Sequence, residues 1–187
     1  MSTFPKSPNI TFVACMQEFK AFILTYKTAP VSIREQVSLS PEQAKALLRF
    51  LKEHTSATDI LVVSTCNRTE VYYQNTTPIA SQILFGIRQV KAINEDLSSY
   101  FREINTTADT IRHLFNVSIG LDAQVIGDLQ ISGQVKNAYQ MAADEDTAGP
   151  FLHRLMHTIF FTNKRVVQET AFRDGAASIS SASKGAC

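Results

Sequence analysis

The sequence predicts an α+β fold: an antiparallel sheet carrying helices, followed by an all-helical segment. Three observations predict it. Short runs rich in β-branched and aromatic residues recur up to Ile104. Segments with apolar residues at helical spacing separate them. Beyond Thr106 the strand-like runs stop and only helical periodicity continues.

Phe19–Lys27 reads as the first strand. In TAPVSIRE (28–35), Pro30 and Ser32 mark a turn into a short helix. The next helix starts at SPEQ (40–43): Ser40 suits the N-cap, Pro41 the first helical position, and Gln43 sits three residues past the cap. Its apolar stripe is Ala44, Leu47, Leu48 and Leu51. Asp59–Ser64 and Glu70–Gln74 read as the second and third strands, and Pro78–Ala92 as a helix with Ile79, Ile83, Leu84 and Ile87 on one face. Ser99–Ile104 reads as a short fourth strand. The order strand, helix, strand, strand, helix, strand is the ferredoxin-like βαββαβ pattern, an antiparallel sheet with helices on one face. Helices follow over Thr107–Ser118, with Ile111, Leu114 and Phe115 inward, then Leu129–Asp144 and Pro150–Ala171; Gly120–Gly127 is a glycine-bounded segment. The chain divides into a tail over residues 1–15, a ferredoxin-like part over 16–105 beginning near Met16, and a helical part over 106–187.

Composition excludes several classes. The 187 residues are 44% apolar and 19% charged, an ordinary globular balance for one domain or two small ones. A net charge of +1 gives no broad footprint for nucleic acid, so RNA binding would require a local patch. The three cysteines, Cys15, Cys66 and Cys187, stand in no zinc-like or disulfide-framework spacing and fit a reducing, cytoplasmic setting. No metal site is expected. Residues 1–15 lack the basic start and long apolar core of a signal peptide, and no apolar run reaches the ~18 residues of a membrane span.

The chemistry concentrates in LVVSTCNRTEVYY (61–73), where polar residues separate two strand-like runs. Cys66 there reads either as a small apolar filler or as a nucleophile at a strand exit. Arg68 stands two residues on, on the same face if the chain is extended, where a guanidinium favours the reactive thiolate; equally, it is a surface residue pairing with Glu70. His113 reads as a half-buried structural histidine or a general acid/base. GDLQISGQ (127–134), with Gln130 and Gln134, is a loop-to-helix junction or a place where backbone approaches a ligand. His153, Arg154, His157, Lys164 and Arg165 make either a solvated helix face or a phosphate-contacting patch.

STCNRTEVY (64–72) resembles the signature around the nucleophile of glutamyl-tRNA reductases. TAPVSIRE, SPEQ, HLF (113–115), GLDAQVIGDLQISGQVKNAY (120–139), KRVVQET (164–170) and GAASISSAS (175–183) resemble further blocks of that family in the same order, from about Met16 to the C-terminus. The resemblance implies reduction of glutamyl-tRNA(Glu) to glutamate-1-semialdehyde with NADPH, the first committed step of tetrapyrrole (heme) synthesis. It implies Cys66 as the nucleophile that forms a glutamyl thioester, with Thr65 and Arg68 holding the glutamyl group. His113 would be an acid/base or orienting group, and Asp128, Gln130 and Gln134 pocket residues. NADPH would be bound by a Rossmann domain and dimerisation made by a helical domain, both absent here. Glutamate-1-semialdehyde aminotransferase is an implied partner. The chain departs from the family pattern at Thr25-Tyr26 for Asn-His, Ala123 for Ser, and Asp128-Leu129 for Glu-Pro. If Ala123 and Asp128 lie in the glutamate pocket, substrate contacts are altered. No G-x-G-x-x-G follows a strand, so the chain is expected to be a truncated piece that alone reduces nothing. The alternative is a non-catalytic relative that binds glutamyl-tRNA or a partner enzyme. A generic RNA-binding ferredoxin-like domain would want exposed sheet aromatics and a basic surface.

Overall fold

The structure, a computed structural model, describes residues 17–124 and 129–170. The expected tail over 1–15, the domain start near Met16, Gly127, Asp128 and the segment 171–187 lie outside the described residues. The elements are β1 (Glu18–Thr25), α1 (Val31–Val37), α2 (Pro41–His54), β2 (Thr58–Thr65), β3 (Arg68–Asn75), α3 (Ala80–Lys91), a 3-10 turn (Ser98–Tyr100), β4 (Arg102–Ile104), α4 (Thr107–Ser118), α5 (Leu129–Asp144) and α6 (Pro150–Glu169). The strands order β2-β3-β1-β4, every neighbouring pair antiparallel, which is the ferredoxin-like arrangement the sequence predicts.

Alternation sends successive residues of each strand to opposite faces. On β3, Thr69 and Tyr73 turn to the α1–α3 side: the Thr69 hydroxyl donates to the Val37 carbonyl, and Tyr73 accepts from the Ile79 amide. Arg68, Glu70 and Tyr72 turn the other way. Tyr72 stacks on Phe19 and His113, and Phe19 meets Phe151 of α6. The helices after Ile104 therefore cover the sheet face that the first three leave open, with α4 against β1 and α5 and α6 against β2. One apolar cluster runs through both layers, from Leu47, Leu48 and Leu51 through the central strands to Leu114, Val135 and Met156.

The capping box of α2 forms as its residues dictate: Ser40 accepts from the Gln43 amide, and the Gln43 side chain accepts from the Ser40 amide. On α3, Gly86 permits close approach to α2, since a Cβ there would stand 2.7 Å from atoms of both Leu47 and Phe50. Two elements differ from expectation. The fourth strand shrinks to three residues because Ser98–Tyr100 winds into a 3-10 turn, which lays Phe101 flat on Phe22 at 4.5 Å between centroids. The inward stripe of α4 is Thr110, Leu114, Val117 and Ser118, with Ile111 and Phe115 only half-buried.

The start of β2 is stitched to the beginning of α6. Asp59 is buried in a left-handed conformation (φ 53°), and its Oδ1 accepts from the Leu152 amide at 2.7 Å. A carboxylate from another element thus satisfies an orphan donor of the α6 first turn. Asp59→Ala should destabilise the chain by about 1–2 kcal/mol, as for loss of a helix cap, and Asp59→Asn by less. Urea unfolding followed by circular dichroism measures both.

Candidate active site

The polar stretch at the end of β2 and start of β3 is not a long loop. The ladder continues through Val63↔Glu70 and Ser64↔Thr69 to Thr65↔Arg68, leaving only Cys66 and Asn67 as a two-residue hairpin tip. The ladder tolerates these polar residues because their side chains are paired. Ser64 Oγ meets Thr69 Oγ1 at 3.2 Å and accepts from the Leu39 amide. The tip is held from three directions. The Asn67 amide donates to Thr65 Oγ1, the Tyr26 amide donates to the Asn67 carbonyl at 2.9 Å, and Arg34 Nε donates to the Cys66 carbonyl at 3.3 Å. Arg34 also reaches the Ala29 carbonyl, so α1 and its preceding turn brace the tip.

Cys66 is a free, exposed thiol on this braced turn. It is not an apolar filler, and it is not in extended chain. The expectation that Cys66 and Arg68 share a strand face through alternation is therefore corrected: the turn intervenes between them. The surface reading of Arg68 is corrected as well. Its side chain is 2% exposed, and its guanidinium runs along the sheet face beneath α4. Nη1 donates to Glu70 Oε1 at 3.0 Å and to Asp122 Oδ2 at 3.4 Å, and Nη2 donates to the Asp122 carbonyl. Lys27 pairs with the other Asp122 oxygen, and the Tyr26 hydroxyl donates to the Ala123 carbonyl. Tyr26 and Ala123 thus touch each other. The strap after α4 is fastened to the ends of β1 and β3.

Glu70 is the centre of this arrangement. It is fully buried, and three donors converge on it: Arg68 and His113 (Nε2, 3.1 Å) on Oε1, and the Tyr72 hydroxyl (2.6 Å) on Oε2. Burial alone would push its carboxyl up. The His113 hydrogen bond, the Arg68 and His113 charges and the Tyr72 hydrogen bond outweigh burial and hold it below the usual carboxylate range. Asp122 follows the same pattern, with burial opposed by Lys27 and Arg68, and it too lies low. Burial, with Glu70 adjacent, drives the Tyr72 phenol well up, so it remains a donor.

Beside the tip lies a cavity of about 110 Å³ lined by Thr65, Cys66, Asn67, Arg68, Ala123, Gln124, Gln130, Ile131 and Gln134. Five of the seven predicted site residues therefore meet in one place, brought from β2, β3 and the start of α5. His113 does not line it. It lines a separate cleft with Arg102, Asn105, Arg112 and Asn116, and it shares a Glu70 oxygen with Arg68. Asp128, the seventh, lies outside the described residues. The basic residues of α6 are exposed, but His153 bonds Tyr139 and Arg165 pairs with Glu169. Sequence reasoning missed Glu70 as the hub, Tyr72, Asp122, Gln124 and Arg34. A carboxylate and a phenol at alternate positions of a buried strand were a usable signal for the first two.

A ferredoxin-like sheet, roofed on its second face by helices and carrying an exposed thiol on a braced hairpin beside a small amide-lined cavity, defines the class: an α+β domain with a cysteine-centred cleft. The family described as "Glutamyl-tRNAGlu reductase, N-terminal domain" matches residues 23–170, and the chain belongs to it. It is similar to the glutamyl-tRNA reductase of Cytophaga hutchinsonii, 53% identical over 167 residues, covering 88% of this chain and 39% of that protein. It is also similar to the glutamyl-tRNA reductase of Rubrobacter xylanophilus, 37% identical over 159 residues, covering 83% and 37%. The chain thus spans under two fifths of the length of these relatives. Among solved structures it resembles "Glutamyl-tRNA Reductase from Methanopyrus kandleri", with a TM-score of 0.64 over 83% of this chain and 35% of that one; at 24% identity this shows the shared fold.

Glu70 sets an expected acid response. Its carboxyl lies lower in the folded chain than the unfolded value of about 4.3. Its ionisation therefore stabilises the fold fully above that value, and the stabilisation is lost as pH falls through the lower folded value. Unfolding free energy measured from pH 7 down to pH 2 should contain this falling component in the wild type and lack it in Glu70→Gln. The substitution itself should cost about 3 kcal/mol at neutral pH, the low end for a broken buried pair because Asp122 still faces Arg68.

Proposed function

We propose that this chain captures the glutamyl group of glutamyl-tRNA(Glu) as a thioester on Cys66. The observation that carries the reading is the exposed thiol of a braced turn opening, with Arg68 and Thr65, onto one cavity. The thiolate would attack the ester carbonyl carbon; the bond to the tRNA ribose oxygen then breaks, and the tRNA leaves, its oxygen taking a proton from water. The cavity volume suits an amino-acid side chain. Arg68 would receive the side-chain carboxylate, and Gln124, Gln130 and Gln134 present amides that both donate and accept. Among the described residues His113 does not line this cavity, and its bond to Glu70 supports a role in orienting Arg68 rather than in moving a proton at the sulfur.

In family members the thioester is reduced with NADPH. The described residues offer that cofactor no cradle: the sheet is antiparallel throughout, and no described strand passes to a helix through a glycine-rich turn. The reading given to this chain is therefore acyl capture, with reduction assigned to the longer proteins it resembles. Family likeness alone supports dimerisation and pairing with glutamate-1-semialdehyde aminotransferase. Sparse cysteines support a cytoplasmic setting, and among the described residues no helix is long and apolar enough to cross a membrane.

Incubated with glutamyl-labelled tRNA and quenched in acid, the chain should retain label on the peptide containing Cys66, and Cys66→Ser should retain none. Equal labelling of the two, or none in either, rejects acyl capture; tRNA binding without labelling favours the non-catalytic relative.

A further inference from the structure

We infer that Glu70 is a positioning residue for the Cys66 cavity, acting through Arg68. This deepens the reading above, and one arm of its test rests on that reading. A guanidinium carries five N–H donors. Within the described residues Arg68 commits two on Nη1, to Glu70 and Asp122, and one on Nη2, to the Asp122 carbonyl. The Nε hydrogen and one Nη2 hydrogen remain, on a residue that lines the cavity. Which way those donors face depends on what grips the committed ones. The Asp122 carboxylate is the weaker of the two ionic grips: it stands at 3.4 Å, is partly exposed and is shared with the exposed Lys27, while the Asp122 carbonyl accepts from Nη2. Glu70 is the stronger. It is sealed from solvent, stands at 3.0 Å, and is fixed by Tyr72 and His113, whose rings stack at 6.2 Å. It lies fully buried on an interior strand of the sheet. A buried carboxylate with three donors thus aims a cation at a cavity it does not itself line.

The sign of one measurement separates this role from a background one. Iodoacetate (anionic) and iodoacetamide (neutral) alkylate the same thiolate, so the ratio of their rates at Cys66 cancels the thiolate fraction and reports how well a cation faces the sulfur. Rates are read by mass spectrometry on the Cys66 peptide, which separates it from Cys15 and Cys187. Arg68→Gln should lower the ratio about threefold to tenfold, the Coulomb worth of one nearby, partly screened cation. If Glu70 positions Arg68, Glu70→Gln should lower it almost as far, even though removing a negative charge by itself raises it. A ratio at or above wild type in folded Glu70→Gln overturns the proposal. Should that variant fail the circular dichroism check, Tyr72→Phe decides instead: it frees Oε2 while keeping the charge, and an intermediate ratio supports the role while a wild-type ratio overturns it. In the second arm, Glu70→Gln should raise the apparent KM for acylation by glutamyl-tRNA while largely keeping the saturating rate. If glutamyl-tRNA labels not even the wild type, acyl capture falls, and the alkylation ratio still decides the role of Glu70.

Discussion

The site depends on a buried ion pair between two residues of one strand. Arg68 and Glu70 share the inner face of β3 under α4, with side chains 2% and 0% exposed. Taking two charges out of water costs several kcal/mol each unless every lone pair and proton finds a partner. The chain meets that demand with Tyr72, His113, Asp122 and, behind Asp122, Lys27. The helical half of the chain is what makes the pair buried at all, because α4 delivers His113 and the turn after it delivers Asp122. An apolar pair would pack this face at less cost. Retention of charge here is understandable if the cation is needed at the cavity next door.

That dependence divides labour between the two ends of the network. The hairpin tip keeps Cys66 outside the buried region, exposed and held by backbone contacts from Tyr26 and Arg34. The thiol therefore owes its place to the turn, while the cation beside it owes its place to the sheet. His113, which does not line the Cys66 cavity, belongs with the sheet. Its ring packs on Tyr72, and its bond to Glu70 closes the carboxylate's environment from the α4 side.

Much of the fold was legible in the sequence. β1 reads as a strand because FKAFILT is rich in aromatic and aliphatic residues on both faces, as a strand buried on both faces must be. α2 announces itself through Ser40, Pro41 and Gln43. The hairpin was less legible: Ser64, Arg68 and Thr69 look like loop residues until their partners are known, and those include Leu39, Val37 and Asp122, distant in the chain. Arg68, Gln130 and Gln134 stood out locally, but their place with Thr65 in one pocket came from family likeness; no local pattern brings α5 to the hairpin. The direction of the Arg68 guanidinium was out of reach, since alternation is a rule for strands and the chain turns at Cys66.

Arg68 is immobilised inside the sheet face rather than swinging at the surface. The most direct measurement is the nitrogen-15 NMR spectrum of the arginine side chains near neutral pH. A guanidinium gripped by Glu70 and Asp122 should show separate, slowly exchanging Nη signals for Arg68, in contrast to the exposed Arg102 and Arg112. A single rotationally averaged Nη signal for Arg68, indistinguishable from those two, would contradict the account.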